Sequence, residues 1–209
     1  MNYRENGRRG VRDEKKQQLR DEIRQRLRDY DEERRFRASR AVTERLVASP
    51  VWAAADTLFA FVSLPDEIET TELCRHALAS GKRLGLPRFG RDGLVFHLVT
   101  DLDALRVDNS LAIRQPAKDL PVLASTLNPR QPGRLLIATP GRAFTRQGGR
   151  LGRGGGFYDA FFAALHHGKI VYHSVGLCFD EQLVADLPVD ETDEPVNGVI
   201  TPGDRFGAV

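Results

Sequence analysis

Cysteine is scarce in this sequence of 209 residues: only Cys74 and Cys178 are present, and each lies among apolar neighbours. Two cysteines are too few for a disulfide framework, and they do not have the spacing of metal ligands. We therefore expect both to be reduced residues of the core, and we assign neither of them as a nucleophile.

Long hydrophobic runs are also missing. No uncharged stretch approaches the roughly 18–20 residues that cross a bilayer. The N-terminal residues MNYRENGRRGVRDEKK contain no apolar region of the kind found in a secretory signal. With 41% hydrophobic and 29% charged residues, the composition is that of an ordinary globular protein. These features disfavour a membrane or secreted protein, and we expect a cytoplasmic one.

The net charge is only +2, but the charges are unevenly distributed. Residues 1–50 contain 15 of the 31 lysines and arginines, whereas residues 180–194 contain seven acidic residues and no basic one. A basic arm can bind nucleic acid, but here basic and acidic residues alternate along a helical pattern, which favours a solvated helix face. A small anionic ligand held between the basic N-terminal part and a metal-binding acidic part of the chain would also fit. Composition does not decide between these interpretations.

Apolar periodicity and turn residues predict alternating helices and strands after a disordered extension at residues 1–12. A helix is predicted from Asp13, followed by a second helix that has Asp31 as its N-cap and ends at Pro50. The other predicted elements are strands at 56–64, 82–89, 93–99, 134–139 and 169–179, helices at 70–81 and 157–168, and a last strand at 196–201. This alternation predicts that residues 13–209 form one α/β domain with three layers, α/β/α, and a mostly parallel sheet.

Residues 148–156, GGRLGRGGG, place six of the 19 glycines in nine positions between a buried strand and a helix. The spacing of this segment, here termed the glycine run, excludes the P-loop pattern and the dinucleotide pattern G-x-G-x-x-G. Successive glycine N–H groups and the N-terminus of the next helix can nevertheless bind an anion. Arg150 and Arg153 would add charge-assisted hydrogen bonds to phosphate, and Asp159 is placed to hold Mg²⁺. A slack loop would explain the glycines but not these charged neighbours.

The segment around the glycine run, LLIATPGRAFTRQGGRLGRGGGFYDAF, resembles the signature of 5-formyltetrahydrofolate cyclo-ligases, also called methenyltetrahydrofolate synthetases. Three further segments agree in order and spacing: KQQLR at 16–20, FVSLPDEIET at 61–70 and FDEQLVADLPVDETDEPVNGVIT at 179–201. Together they extend from about residue 15 to residue 202. One such segment would be a weak signal, but four in register are specific.

The resemblance implies an ATP-dependent ligase of folate and one-carbon metabolism, which uses Mg²⁺ to convert 5-formyltetrahydrofolate to 5,10-methenyltetrahydrofolate and releases ADP and phosphate. In that reaction ATP phosphorylates the formamide oxygen, which is a poor leaving group, and N10 then attacks the activated carbon. Phosphoryl transfer mainly requires positioning and charge neutralisation. An alternative on the same fold is a diverged, non-catalytic regulator that binds folate or nucleic acid.

The family's roles transfer to this chain by motif position. The residues implied to bind ATP are Lys16, Arg20, Arg150, Leu151, Gly152, Arg153, Gly154, Gly155, Gly156, Phe157 and Tyr158. The residues implied to bind the folate are Val62, Glu67, Arg153, Gly154, Gly155, Gly156 and Phe157. The implied Mg²⁺ ligands are Asp159 and Asp193, and the residues implied to act in catalysis are Arg150, Arg153 and Tyr158. Within this set, Glu67 would hydrogen-bond the pterin, whereas its neighbour Asp66 is interpreted as a turn residue.

Three positions depart from the family pattern. Phe157 stands where many members have tyrosine, and Thr145 replaces a common aspartate and is interpreted as capping the loop. Leu111 stands where an aromatic residue is often found, so the contact to the aminobenzoyl-glutamate tail is not implied. No histidine is assigned a catalytic role, because none has the spacing of a triad or a zinc site. We expect a monomer without a membrane or nucleic-acid partner.

Overall fold

A seven-stranded sheet forms the centre of the protein. The computed structural model describes residues 3–90, 93–107, 113–123, 126–127, 134–188, 190 and 193–209. The strands are β1 Thr57–Phe59, β2 Arg83–Gly90, β3 Gly93–Val99, β4 Arg106–Val107, β5 Arg114–Gln115, β6 Leu135–Thr139, β7 Ala143–Phe144, β8 Arg150–Leu151, β9 Tyr172–Leu177, β10 Gly198–Ile200 and β11 Arg205–Gly207. The helices are α1 Tyr3–Arg26, α2 Glu32–Val47, α3 Pro50–Ala54, α4 Thr71–Ala79 and α5 Phe157–His167, with a 3-10 helix at Asp180–Gln182.

The strand order in the large sheet is β11-β10-β9-β6-β1-β2-β3. Five neighbouring strands, from β10 to β2, run parallel, and an antiparallel strand lies at each edge. The pairs β4–β5 and β7–β8 form separate two-stranded sheets. The predicted α/β class and mostly parallel sheet are therefore confirmed.

Helices cover both faces of the sheet. Leu58 and Leu136 belong to a core shared with α1 to α4. The next residues along the same strands, Phe59 and Ile137, belong to a second core with Phe162 of α5. Successive strand residues point to opposite faces, so the two cores lie on opposite sides of the sheet. The three predicted layers are present.

Helix α1 begins at Tyr3 rather than at Asp13. Residues 3–12, predicted as a disordered extension, are therefore helical. One reason is a tertiary contact, because the Arg12 guanidinium pairs with the Asp190 carboxylate from the other end of the chain. A tertiary ion pair of this kind offsets part of the weak helix propensity of a polar, glycine-containing segment.

The predicted helix ends were correct at Asp31 and wrong at Pro50. The Asp31 side chain caps α2 by accepting a hydrogen bond from the Arg34 amide. Pro50 does not terminate this helix, which ends at Val47, but occupies the first turn of α3 behind an N-cap at Ser49. Proline is tolerated there because the first helical N–H groups have no intrahelical partner.

Two predicted strands also changed. The strand predicted over 56–64 contributes only β1 to the sheet. After the Ala60 amide bonds the Gly85 carbonyl at 3.0 Å, the chain leaves the sheet and forms a wall of a pocket. The strand at 196–201 is not the last, since β11 follows it in an antiparallel pair.

The glycine run begins in the turn of the β7–β8 hairpin. Thr145 closes this turn, with its Oγ1 accepting from the Gly149 amide at 3.0 Å, which confirms its predicted capping role. Gly148 has φ +89°, and a Cβ there would lie 2.1 Å from the carbonyl oxygen of Val196. Only glycine fits this close backbone approach. The hairpin is thereby joined to the segment before β10.

Candidate functional site

A pocket opens where the parallel strands β1 and β6 end, which is the edge where ligands bind in open α/β sheets. Phe61 and Val62 line it after β1, and Pro140 lines it after β6. The glycine run and the first turn of α5 form another wall. The chain topology alone therefore places the predicted glycine-rich site beside the predicted folate-binding Val62.

Aromatic side chains make part of the pocket apolar. Phe89 of β2 and Phe157 of α5 both line it, and their rings meet edge to face with centroids 5.3 Å apart. Phe157 is 38% exposed, so its ring remains accessible to a flat ligand. The loss of a tyrosine hydroxyl at this position leaves a stacking surface.

Arg150 is the most deeply buried charged residue of the pocket, with only 4% of its surface exposed. Its Nη2 pairs with the Asp159 carboxylate on the first turn of α5. A buried guanidinium is strongly unfavourable without such a partner. The same Asp159 oxygen accepts from the Glu194 amide at 3.3 Å, so the pair also reaches the segment that contains Asp193.

Two buried polar atoms at the pocket lack partners among the described residues. They are the Nε of Arg150 and the hydroxyl of Tyr158. Burial raises the pKa of Tyr158, so the hydroxyl keeps its proton at neutral pH. Buried donors without partners are rare in native proteins, and each needs an explanation. Both residues line the pocket, and a polar ligand that displaced their present packing would supply partners for the two buried donors.

Lys16 on α1 is also buried, with 7% of its surface exposed. Its Nζ donates to Asp190 at 2.7 Å and to Asp193 at 2.6 Å. Burial would lower the pKa of Lys16, but the hydrogen bonds and charges of the two aspartates outweigh it and the pKa is raised. Lys16 therefore carries its charge at neutral pH.

Arg20, one turn further along α1, reaches the glycine run directly. Its Nε donates to the carbonyl of Gly152 at 2.9 Å, and its guanidinium carbon lies 3.6 Å from the place where a Cβ of Gly154 would be. Arg20 thus contacts the glycine run, whereas the contacts of Lys16 are to Asp190 and Asp193. Neither lines the pocket itself.

The glycines also leave the start of α5 open. Gly154 and Gly156 have φ values of +104° and +66°, in the left-handed region that favours glycine. Gly156 is the N-cap of α5 and has no side chain with which to cap the helix. The first N–H groups of a helix are then available to an anion.

Arg153 is held by two carboxylates. Its Nε donates to Glu67 Oε1 at 2.8 Å, and its Nη2 pairs with Asp66. The other oxygen of Glu67 accepts from the Leu64 amide at 3.0 Å. Asp66 in turn accepts from Arg142 Nη1 at 2.5 Å. The predicted folate-binding residues Arg153 and Glu67 are therefore in direct contact.

The predicted site residues fall into two groups. Those that line the pocket are Val62, Glu67, Arg150, Gly152, Arg153, Gly155, Gly156, Phe157, Tyr158 and Asp159. Those outside it are Lys16, Arg20 and Asp193, which lie on the α1 side, together with Gly154 and Leu151; Leu151 is buried in the main core. Leu111 lies outside the described residues.

Sequence reasoning missed Asp66, Arg142 and Asp190 as members of these contacts. Asp66 does lie in the expected turn, but its carboxylate bridges two arginines. An arginine directly after the Pro-Gly that ends a buried strand was the only signal for Arg142. Its partner is 76 positions away, and no local pattern indicates such a pairing.

The two predicted metal ligands are compatible with Mg²⁺ in one respect. Asp159 and Asp193 offer carboxylate oxygens, and the amide of the residue after Asp193 bonds Asp159. Among the described residues no group of three or more His, Cys, Asp or Glu side chains converges as a complete metal site. Mg²⁺ is commonly held by one or two carboxylates, with waters and substrate phosphates completing its shell. The donor set fits a metal that arrives with a phosphate.

The fold and site define an α/β protein with a glycine-lined pocket, containing two arginines and two carboxylates, at the ends of its parallel strands. The family model described as the 5-formyltetrahydrofolate cyclo-ligase family matches residues 12–202. The chain therefore belongs to the 5-formyltetrahydrofolate cyclo-ligase family. No helix of the described residues is both long and apolar enough to cross a membrane.

Individual relatives agree with this assignment. The chain is 35% identical to the 5-formyltetrahydrofolate cyclo-ligase of Escherichia coli over 181 residues, covering 82% of this chain and 91% of the relative. It is 32% identical over 178 residues to a probable 5-formyltetrahydrofolate cyclo-ligase of Caenorhabditis elegans, covering 81% and 84%. The structure of Aquifex aeolicus 5,10-methenyltetrahydrofolate synthetase superposes with a TM-score of 0.75 at 26% identity, covering 92% of each chain.

The contacts of Asp190 predict that Asp190→Asn will loosen the N-terminal half of α1. Asp190 binds both Arg12 and Lys16, and hydrogen bonds to charged groups contribute about 1.5–3 kcal/mol each. Because Asn retains part of the hydrogen bonding, we expect the free energy of unfolding to fall by about 1–2 kcal/mol. Urea unfolding and faster hydrogen exchange of the α1 amides measure the change.

The control for this prediction is Asp21→Asn, which removes an exposed ion pair with Arg24 on the same helix. Such pairs contribute little, so this variant should match the wild type. Equal stability and exchange in the two variants would show that Asp190 does not anchor α1.

Proposed function

We propose that the protein catalyses the ATP-dependent conversion of 5-formyltetrahydrofolate to 5,10-methenyltetrahydrofolate, with release of ADP and phosphate. Family membership supports the substrate and the product. The observation that carries the proposal is a pair of buried donors without partners among the described residues, Arg150 Nε and Tyr158 Oη, in two residues that line a pocket beside the glycine run. Donors of this kind suit the charged oxygens of a transferring phosphoryl group.

The reaction has two parts. The formyl oxygen attacks the terminal phosphorus of ATP, the bond between that phosphorus and the bridging oxygen breaks, and ADP leaves. N10 of the folate then attacks the activated carbon, phosphate departs with the former formyl oxygen, and loss of the N10 proton leaves the methenyl product. Oxygen alone is a poor leaving group, which is why the phosphoryl group is needed.

The α1 side of the glycine run would hold the nucleotide. Lys16 and Arg20 bring two cations to this side, and Arg20 already touches the backbone of Gly152. The open N-terminus of α5 adds N–H donors. Phosphate oxygens could replace the aspartates that now bind Lys16. We therefore assign the phosphates to the space between α1, the glycine run and the start of α5.

Asp159 and Asp193 would hold Mg²⁺, which when bound neutralises charge on the phosphate oxygens. In the described state both carboxylates are ion-paired, Asp159 with Arg150 and Asp193 with Lys16. Each predicted metal ligand is thus paired with a cationic side chain that is predicted to bind phosphate. With Mg²⁺ on the two carboxylates and phosphate oxygens on Arg150 and Lys16, each of the four side chains would still have a partner of opposite charge, and an uncompensated charge would be costly in a buried site.

The other side of the pocket would hold the folate. Phe89 and Phe157 offer ring surfaces to a pterin, and Val62 adds apolar contact. Glu67 could accept hydrogen bonds from the aminopyrimidinone edge. This arrangement puts the formyl group between the apolar wall and the donors of Arg150 and Tyr158. Proximity of the reactants, rather than acid–base chemistry, then supplies most of the rate enhancement.

The alternative, a non-catalytic regulator that binds folate or nucleic acid, has less support. Basic residues of α1 and α2 form intrahelical ion pairs with acids, as in Arg24–Asp21 and Arg37–Glu33. Such pairs favour the solvated helix face over a nucleic-acid surface. A pure binding protein would also have no use for carboxylates placed against phosphate-binding cations.

The assay that tests the function mixes purified protein, 5-formyltetrahydrofolate and MgATP. We expect a rise in the near-ultraviolet absorbance of the methenyl product, with one ADP formed per product. Omission of ATP or chelation of Mg²⁺ should stop the reaction. A protein that binds both ligands without producing the methenyl compound would refute the proposal.

The unpartnered hydroxyl of Tyr158 predicts that Tyr158→Phe will retain full stability but lose activity. Removing a buried hydroxyl that has no partner in the part of the chain that the structure describes breaks no hydrogen bond there. Loss of one hydrogen bond to the reacting group should reduce kcat/KM by about tenfold to a hundredfold. Thermal unfolding and steady-state kinetics measure the two effects.

Tyr172→Phe is the matched control. The Tyr172 hydroxyl bonds His166 Nε2 at 2.8 Å, and neither residue lines the pocket. This variant should lose a little stability and keep its kcat/KM. If Tyr158→Phe unfolds earlier and turns over normally, the hydroxyl serves the fold and not the reaction.

A further inference from the structure

Four charged side chains form a chain of contacts beside the pocket: Arg142, Asp66, Arg153 and Glu67. Each oxygen of Asp66 meets a different arginine, with Arg142 Nη1 at 2.5 Å on one oxygen and Arg153 Nη2 on the other. Arg153 Nε completes the series at Glu67, 2.8 Å away. Two cations and two anions compensate each other, so the cluster carries no net charge.

The members of the cluster differ in how freely they can move. The Arg142 side chain is 4% exposed, and its backbone is bonded on both sides: its amide donates to Leu151, and its carbonyl accepts from Gln182. Arg153 is 35% exposed and lines the pocket. The position of the Asp66 carboxylate is therefore restricted by the buried Arg142, and the Asp66 carboxylate in turn restricts the accessible Arg153.

The geometry of the Arg153 guanidinium determines which of its nitrogens can still bind a ligand. A guanidinium is planar, and its Nε–Nη2 edge forms a fork that two oxygens can occupy together. In Arg153 that edge is occupied by Glu67 and Asp66. Arg153 Nη1 donates to no described residue. With one edge fixed, Nη1 is the donor left for a ligand, and its direction depends on both carboxylates.

We propose that Asp66 and Arg142 are positioning residues: buried Arg142 fixes the Asp66 carboxylate, which together with Glu67 holds Arg153 in the orientation that meets the folate. The proposal rests on the proposed function, since it takes the pocket ligand to be 5-formyltetrahydrofolate. Neither positioning residue needs to touch the substrate. Burial would raise the pKa of Asp66, but hydrogen bonds from the two arginines lower it, so the bridge is charged at neutral pH.

A double-mutant cycle between Asp66 and Arg153 tests the proposal. Asp66→Asn should raise the KM for 5-formyltetrahydrofolate about tenfold, in the same direction as removal of the Arg153 guanidinium itself. In the Arg153→Met background the same substitution should have no further effect, because Asp66 acts only through Arg153. Additive losses in the double variant would overturn the proposal.

Arg142 is tested by two substitutions. Arg142→Met replaces the cation by an apolar side chain of similar length, and Asp66 keeps Arg153 as a partner, so its charge is not left uncompensated. It should raise the folate KM as Asp66→Asn does. Arg142→Lys should restore much of the affinity, because Asp66 receives a single hydrogen bond from Arg142 and an ammonium can supply it. Equal defects in the Met and Lys variants would contradict the assigned role.

Glu181→Gln is the matched control for Asp66→Asn. Glu181 is 28% exposed, against 26% for Asp66, and it pairs with Arg34 at 2.6 Å away from the pocket. This variant removes a comparable ion pair and should leave the folate KM unchanged. A folate KM raised equally in the two variants would indicate a general loss of stability and would overturn the proposal.

A second readout needs no turnover. The ¹⁵Nε–H signal of Arg153 should be sharp and slowly exchanging in the wild type, broadened in Asp66→Asn and Arg142→Met, and unchanged in Glu181→Gln. An unchanged Arg153 signal in the first two variants would overturn the positioning role. If the wild type does not form the methenyl product, the proposed function fails and this spectrum alone decides the positioning role. If the wild type forms the methenyl product, additive losses in the double variant contradict the positioning role and leave the proposed function intact.

Discussion

The ion pair between Arg150 and Asp159 is the contact on which the arrangement of the site depends. Arg150 is almost fully buried, and a guanidinium in that environment is tolerated only with a partner that compensates its charge. Because Arg150 lies on β8 and Asp159 on the first turn of α5, the pair fixes the two ends of the segment 150–159 relative to each other. The glycines between them can then adopt left-handed conformations without making the loop slack.

Two further contacts hold the glycine run in place. Gly148 approaches the Val196 backbone so closely that no side chain fits, and Arg20 of α1 bonds the Gly152 carbonyl. The hairpin, the first helix and the segment before β10 therefore meet around one loop. These three parts are far apart in sequence, which explains why motif segments at 16–20, 148–159 and 179–201 have to occur together in one chain.

The sequence allowed the class of fold to be predicted and indicated the loop that borders the candidate site, because both depend on local signals. Apolar runs and periodicity identify the strands and helices, and the glycine run marks the loop before α5. The resemblance to the cyclo-ligases supplied the residues on α1, which no spacing argument could have connected to Gly152. The helical state of residues 3–12 was missed, since it depends on the contact between Arg12 and Asp190 across the fold.

Pairings between distant charges were the part that could not be predicted. Asp66 looked like an ordinary turn residue, and it occupies a turn, yet its carboxylate joins Arg142 to Arg153. The same limit applied to Lys16, whose partners Asp190 and Asp193 are at the other end of the chain. The pattern of apolar and polar residues indicates which residues are buried. It does not indicate the partner of a buried charge, because that partner is brought close only by the folded chain.

The central claim is that the glycine run and the cations around it hold the phosphates of a nucleotide. A crystal structure with ADP and Mg²⁺ tests it most directly. The account predicts phosphate oxygens on the amides of Gly152 to Gly156 and on Lys16 or Arg150, with Mg²⁺ at Asp159. A nucleotide bound elsewhere, with the Lys16–Asp193 and Arg150–Asp159 pairs unchanged, would contradict it.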